Sequence, residues 1–436
     1  MKKTKTEEKM MNETAGKILD YIERSPSCFH AVKNLADELR ENGFAELKES
    51  GRWTLEENGK YFVTRNGSSI ISFTIPKKDF RMFRITASHS DSPCFKVKEN
   101  PEMKGHGCVR LNVEKYGGML MNPWFDRPLS IAGRVCVENG GGAFDVETVL
   151  FDFKKSVAMI PSLAIHFARD ANDGHKINTQ AEMMPIVSTD TEFDFLAAVA
   201  KEIGVEKGKI LSHDLFLYNN CKGSFWGADD EFISSAKLDD LECVYATFLG
   251  FLKSAKKAAA DSVNVHAVFD NEEVGSGTRQ GADSTFLEDT LRRINGAMGR
   301  DDEDYLSAIA ESFLISADNA HAVHPNFADK SDLSNRPHVN GGIVIKYNAA
   351  QKYTSDAVSA GIFKRICAKA GVPFQIFTNN SNVAGGSTLG NISTSHVSLR
   401  SVDIGLAQWA MHSPLESAGA EDAEFLSKAA EAFYSA

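Results

Sequence analysis

Apolar residues recur at helical spacing near the start of the chain. Ala15, Ile18, Leu19 and Ile22 fall on one stripe, and the pattern stops at Ser25-Pro26, where proline disfavours continuation. A second stripe, with Ala31, Leu35 and Leu39 on one side, predicts a helix over 29–42. From Lys60 the rhythm shortens. Residues 61–63, 70–75 and 83–87 read as strands, with Gly67, Pro76 and Lys78 between them.

The stretch from about 100 to 235 has another texture. Strand-like runs at 131–137 and 149–153 flank a glycine-rich hairpin signal at Gly140, Gly141 and Gly142, and long helical periods are few. Beyond Ser235 the chain alternates again. Helices are predicted over 240–256, 285–297, 355–370 and 421–433, and strands over 263–269, 313–317, 342–347 and 373–377. That rhythm predicts an α/β domain with a largely parallel sheet. Residues 1–99 and 236–436 would form it, split by a β-rich insert over 100–235.

Composition narrows the function. Among 436 residues, 59 acidic side chains oppose 48 basic ones, a net charge of −11, which argues against a nucleic-acid binder. No run reaches the length of a membrane helix. The N-terminus starts basic but turns acidic with no apolar stretch, so a cytoplasmic rather than exported protein is expected. The seven cysteines (Cys28, Cys94, Cys108, Cys136, Cys221, Cys243, Cys367) are scattered and form no CxxC. Metal chemistry, if any, must then use His, Asp and Glu.

Five short segments concentrate such residues, several of them where a predicted strand meets a loop, the place where open α/β sheets bind ligands. His89 and Asp91 are two apart and share a face on extended chain, so the carboxylate could fix the imidazole's tautomer. Asp239 and Asp240 open a helix, where acids also serve as capping residues. Asp270, Glu272 and Glu273 follow an apolar strand, and their repulsion is costly unless solvent or a cation offsets it. Asp318, His321 and His324 end another strand, and His412 precedes Glu416. Two divalent ions need about six or seven protein ligand bonds, often with one bridging carboxylate. Two histidines, three carboxylates and one spare glutamate could supply them. Of the adjacent Glu272 and Glu273, one could bind metal while the other stays free as a base for amide or ester hydrolysis.

In order and spacing these segments resemble the M18 metallopeptidases, the aspartyl aminopeptidase family, along nearly the whole chain. The matching stretches are Ser25-Pro-Ser-Cys-Phe-His30, His89-Ser-Asp-Ser-Pro-Cys94, Tyr116-Gly-Gly, Trp124-Phe-Asp-Arg127-Pro-Leu, Lys237-Leu-Asp-Asp-Leu, Asp270-Asn-Glu-Glu-Val-Gly-Ser, Ser316-Ala-Asp-Asn-Ala-His-Ala-Val-His-Pro-Asn326 and Met411-His412-Ser. The resemblance implies a zinc-exopeptidase-like mixed sheet sandwiched by helices and interrupted by a β-rich dimerisation domain. It implies two zinc ions per subunit, replaceable by cobalt or manganese. One would be held by His89, Asp239 and Asp318, the other by Asp239, Glu273 and His412, with Asp239 bridging. Glu272 would be the general base and Asp91 would orient His89. His321 and Lys346 would contact a peptide substrate, and His166 would reach a neighbouring subunit's site to steady the oxyanion. Dimers would assemble into a shell of twelve subunits, and the N-terminal residue removed would be Asp or Glu.

Two positions depart from the family pattern: Asp240 stands where Asn is usual, and the run Asn382-Val-Ala-Gly-Gly386-Ser-Thr-Leu-Gly390 lacks an acidic stretch ending in Pro-Cys. The second departure bears on the acidic preference. Two alternatives to a two-zinc aminopeptidase are a shell-forming scaffold without turnover and another zinc exopeptidase or acyl-amino-acid hydrolase.

Overall fold

A computed structural model describes residues 5–257, 261–383, 385–386 and 388–436, without the side chains of 5–11. Ala384 and Ser387 of the departing run, and the first four residues read for export, lie outside the described residues.

Nine strands form the main sheet, in the order Ala45–Leu47, Lys60–Arg65, Ser69–Thr74, Ser262–Phe269, Met82–His89, Phe313–Ala317, Arg400–Gly405, Ile343–Tyr347 and Phe374–Thr378. The sheet is mixed. Its central four strands, from Ser262–Phe269 to Arg400–Gly405, run parallel, whereas Ile343–Tyr347 runs antiparallel to Arg400–Gly405. The central strands are buried on both faces, and apolar residues predominate in Ser262–Phe269 and Phe313–Ala317, with Asn264 and His266 buried among them. Val263, Val265, Ala267 and Phe269 pack on helices Phe286–Ala297 and Asp302–Glu311. On the opposite face Phe313, Ile315, Val402 and Ile404 pack on helices Lys5–Glu23, Cys28–Glu41, Leu238–Ser254, Ala357–Ala370 and Asp422–Tyr434. The amphipathic stripe from Ala15 to Ile22 lies in that second core.

A six-stranded sheet is antiparallel throughout, in the order Val146–Asp152, Leu129–Glu138, Ile210–Asn219, Cys94–Gly105, Cys108–Tyr116, Ile186–Ser188. It has its own apolar core, including Phe95, Ile131, Phe151, Leu215 and the helix residues Phe195 and Val199. This sheet begins at Cys94, before residue 100, and ends at Asn219. Strands Ser224–Trp226 and Phe232–Ser235 belong instead to a third sheet with Glu416–Gly419, Ala407–Trp409 and Ala320–His321. Among the described residues no helix is long and apolar enough to cross a membrane.

The parallel register puts Phe269 beside His89 and Ser316 beside Ala87. His89, the loop 270–275 and Asp318 therefore leave the sheet at one edge, the carboxyl ends of neighbouring strands. Ligands bind at that edge in open α/β sheets.

Candidate metal centre

At this edge the structure gathers two groups of ionisable side chains. His89, Asp239, Asp240 and Asp318 offer ligand atoms within 4.8 Å of one another, and so do Asp239, Glu273 and His412. Asp239 is common to both. His89 Nε2 lies 3.5 Å from Asp239 Oδ1 and 3.9 Å from Asp318 Oδ1. His412 Nε2 lies 3.4 Å from Asp239 Oδ2 and 3.4 Å from Glu273 Oε2. Each oxygen of Asp239 thus faces one histidine. The Asp239–Asp240 peptide is cis, and Asp239 precedes the regular turns of the helix, whose dipole favours an anion there.

Both histidines turn Nε2 to the acids. His89 Nδ1 is 3.1 Å from the Asp91 carbonyl and 3.4 Å from Asp91 Oδ1. Such outer bonds fix tautomer and ring orientation for a metal ligand. Gly118 faces the His412 ring, where a Cβ would stand 4.0 Å from Nδ1. The Asp91 carboxylate also holds the neighbouring loop, since Oδ1 accepts the N–H of Glu272 and Oδ2 that of Glu273, both at 3.1 Å.

Electrostatics point the same way. Burial opposes a charged His89, yet Asp239, Asp318 and Asp91 outweigh it and hold the ring well above its ordinary pKa. Burial also pushes Asp239 up, but the neighbouring His412 and His89 rings hold it below the usual carboxylate range. Burial lifts Asp240 and Glu273, and neighbouring acids add to it. Glu272 is raised to about 7 by burial, with His89 opposing. Asp239 Oδ1, Asp240 Oδ1 and Glu273 Oε1 are buried without a hydrogen-bond partner among the described residues. Buried polar oxygens left unpaired are costly, and a cation among them removes that cost. Imidazole nitrogen and carboxylate oxygen are donors that suit zinc.

The remaining expected site residues lie as follows. Glu272 is half-buried next to Glu273 and is in neither group. Lys346 is buried, with Nζ 3.6 Å from Asp318 Oδ2 and donating to the Asn319 carbonyl at 3.0 Å. His321 lines a cleft of about 480 Å³ with Tyr353, Phe377 and Val383. His166 is not brought to the cluster. It sits on an exposed turn, and among the described residues it has no hydrogen bond or ion pair to the metal-site groups. Asp240, read as a departure, joins the first group and accepts the His89 N–H at 3.1 Å. Sequence reasoning gave no role to Tyr116 or Glu416, although both stand in segments it singled out. Tyr116 donates to Asp91 Oδ2 at 2.7 Å, and Glu416 receives the N–H groups of Asp239 and His412.

Two acid–histidine groups sharing one aspartate at the carboxyl edge of an α/β sheet define a metallohydrolase type of centre. Comparison with known proteins makes this specific. The family model described as aminopeptidase I zinc metalloprotease (M18) matches residues 21–434. A probable M18 family aminopeptidase 2 of Clostridium acetobutylicum is 48% identical over 433 residues, covering 97% of this chain and 98% of its own. A chain in the cryo-EM structure of the Ape4 and Nbr1 complex superposes with a TM-score of 0.94 at 34% identity, covering 98% of this chain and 86% of that one. The S. cerevisiae mApe1 dodecamer superposes with a TM-score of 0.84 at 27% identity, covering 97% and 96%. The chain belongs to the M18 family of aminopeptidases, metalloproteases that hydrolyse peptide bonds.

Proposed function

We propose a co-catalytic two-zinc aminopeptidase that removes the unblocked N-terminal residue of peptides. The observation that carries this reading is Asp239, whose two oxygens face His89 and His412 from opposite groups. His89, Asp239 and Asp318 would hold one ion, and Asp239, Glu273 and His412 the other, with cobalt or manganese as substitutes. Bound zinc would supply a nucleophilic water near neutral pH and polarise the substrate carbonyl.

The chain's own residues do the rest. Glu272 takes the proton of the attacking water on its carboxylate and delivers it to the leaving amine. Asp91 aims Glu272 through the backbone N–H it accepts and holds the His89 ring. His321 and Tyr353 line the cleft a peptide's first residue would occupy, and the buried Lys346 ammonium, 5.5 Å from the Tyr353 ring centroid, supports substrate contact there and a preference for Asp or Glu. We further assign the region 100–235 the dimer contact. Its segment around His166 exposes Leu163, Ile165 and Phe167, the last 81% exposed, which favours a partner subunit there. His166 would then complete the partner's site, and dimers would build a twelve-subunit, cytoplasmic shell.

The test is metal analysis together with hydrolysis of Asp-, Glu-, Leu- and Lys-terminated peptides, free and N-blocked. Glu272→Gln should keep two ions and lose about a hundred- to ten-thousandfold in kcat. Two ions with unchanged turnover would remove Glu272 from the role of base, and cleavage of blocked peptides would replace aminopeptidase by acyl hydrolase.

A further inference from the structure

We propose that Tyr116 to Leu120, where the chain leaves the six-stranded sheet, is the positioning element for the Asp239–Glu273–His412 half of the metal centre. The inference rests on the two-ion reading above.

Five contacts carry it. The Tyr116 hydroxyl donates to Asp91 Oδ2 at 2.7 Å, and the same oxygen receives the Glu273 N–H. Asp91 Oδ1 faces Glu272 and His89 instead, so Tyr116 braces the side of Asp91 that holds Glu273. Asn271 closes the arrangement by donating to the Tyr116 oxygen at 2.8 Å. Gly117, at φ +78°, lies against Glu273: a Cβ there would stand 3.1 Å from Glu273 Cβ and 3.3 Å from its carbonyl oxygen. Positive φ and this approach together call for glycine. Gly118 faces the His412 ring, where a Cβ would stand 4.0 Å from Nδ1, and the ring's Nε2 points to Asp239 and Glu273. The Leu120 N–H donates to the His412 carbonyl at 3.1 Å.

One five-residue segment therefore touches both Glu273 and His412. Among the described residues no hydrogen bond joins it to His89 or Asp318. Tyr116 is also the last residue of strand Cys108–Tyr116. The seat of the inserted sheet on the main domain thus sets how well this half binds its ion, while the His89–Asp318 half is held by its own strand ends.

The experiment follows zinc per chain in the full-length protein, dialysed against a graded series of buffered free zinc. Wild type should release two ions in two steps, and His412→Gln identifies the step of this half. Tyr116→Phe removes one hydroxyl and keeps the ring against Phe216. It should move that step to about ten- to hundredfold higher free zinc and leave the other step in place. Gly117→Ala, which keeps the hydroxyl, should move the same step. Unmoved steps in both variants, or equal shifts of the two steps, overturn the proposal. A wild type that holds one ion overturns the two-ion reading, and the proposal with it.

Discussion

Glu416 Oε2 accepts the backbone N–H of Asp239 at 3.0 Å. Its other oxygen accepts that of His412 at 2.7 Å. One buried side chain thus spans two residues that lie 173 positions apart in sequence and face each other across the centre. Glu416→Ala leaves both N–H groups without their acceptor and opens a void. An unmet buried donor costs about 1–3 kcal/mol, so the metal-free variant should lose on the order of 2–5 kcal/mol in denaturant unfolding. Zinc affinity should fall at least about tenfold. A variant as stable as wild type would show that water or a shifted loop replaces Glu416 without cost.

Removing metal should destabilise the fold. Asp239, Asp240 and Glu273 each bury an oxygen with no hydrogen-bond partner among the described residues, so a cation that binds only the folded chain stabilises it by mass action. At free zinc one hundred times Kd the gain is about 2.7 kcal/mol. Thermal unfolding with chelator and with graded zinc should give a Tm that climbs with the logarithm of free zinc. A Tm indifferent to zinc would exclude tight binding at these carboxylates.

Gly405 ends the strand that runs beside Phe313–Ala317. A Cβ added there would meet the backbone oxygen of Asp318 at 2.0 Å. No rotamer relieves a backbone clash, so Gly405→Ala must push Asp318 away from its neighbours. Overpacking of this kind costs about 1–3 kcal/mol or more. The expected result is lower stability together with loss of zinc from the His89 half, read by unfolding and metal analysis. Normal zinc content would mean that the sheet edge yields without moving Asp318.

Much of this fold is legible because its elements carry local signals. The Ala15–Ile22 stripe and the apolar run of Ser262–Phe269 predict their elements closely. Strand direction is less accessible: Ile343–Tyr347 runs against Arg400–Gly405 through pairing with distant chain, and no local period encodes that. The helix Asp302–Glu311 hides in an acidic run with only Tyr305, Ala308 and Ile309 buried, although Asp301 and Asp304 form a capping box. The second sheet begins before residue 100 because strand Cys94–Gly105 passes through Pro101 with a register shift, and proline inside a run weakens a strand reading. At the centre, His and Asp at strand ends announce themselves by residue type. Glu416 and Tyr116 do not, because they act on backbone N–H groups and on another carboxylate, partners that only the folded chain supplies.

His266 gives the fold an acid limb that is independent of the metal centre. It lies buried on strand Ser262–Phe269 between Phe248 and Phe251, with Nε2 3.3 Å from the Val244 carbonyl and 3.2 Å from the Thr247 hydroxyl. Burial lowers its pKa to about 4, below the roughly 6.5 of an unfolded histidine. The unfolded chain therefore binds the extra proton first. Stability from this residue is complete above about pH 6.5, declines as pH falls toward 4, and changes little below that, a total on the order of 3 kcal/mol. His266→Phe should carry a constant offset above pH 7 and a shallower loss between pH 6.5 and 4. Denaturant unfolding of both proteins in chelator, across that range, measures the difference between the two curves. Parallel curves would show that His266 is protonated in the folded chain at the same pH as in the unfolded one.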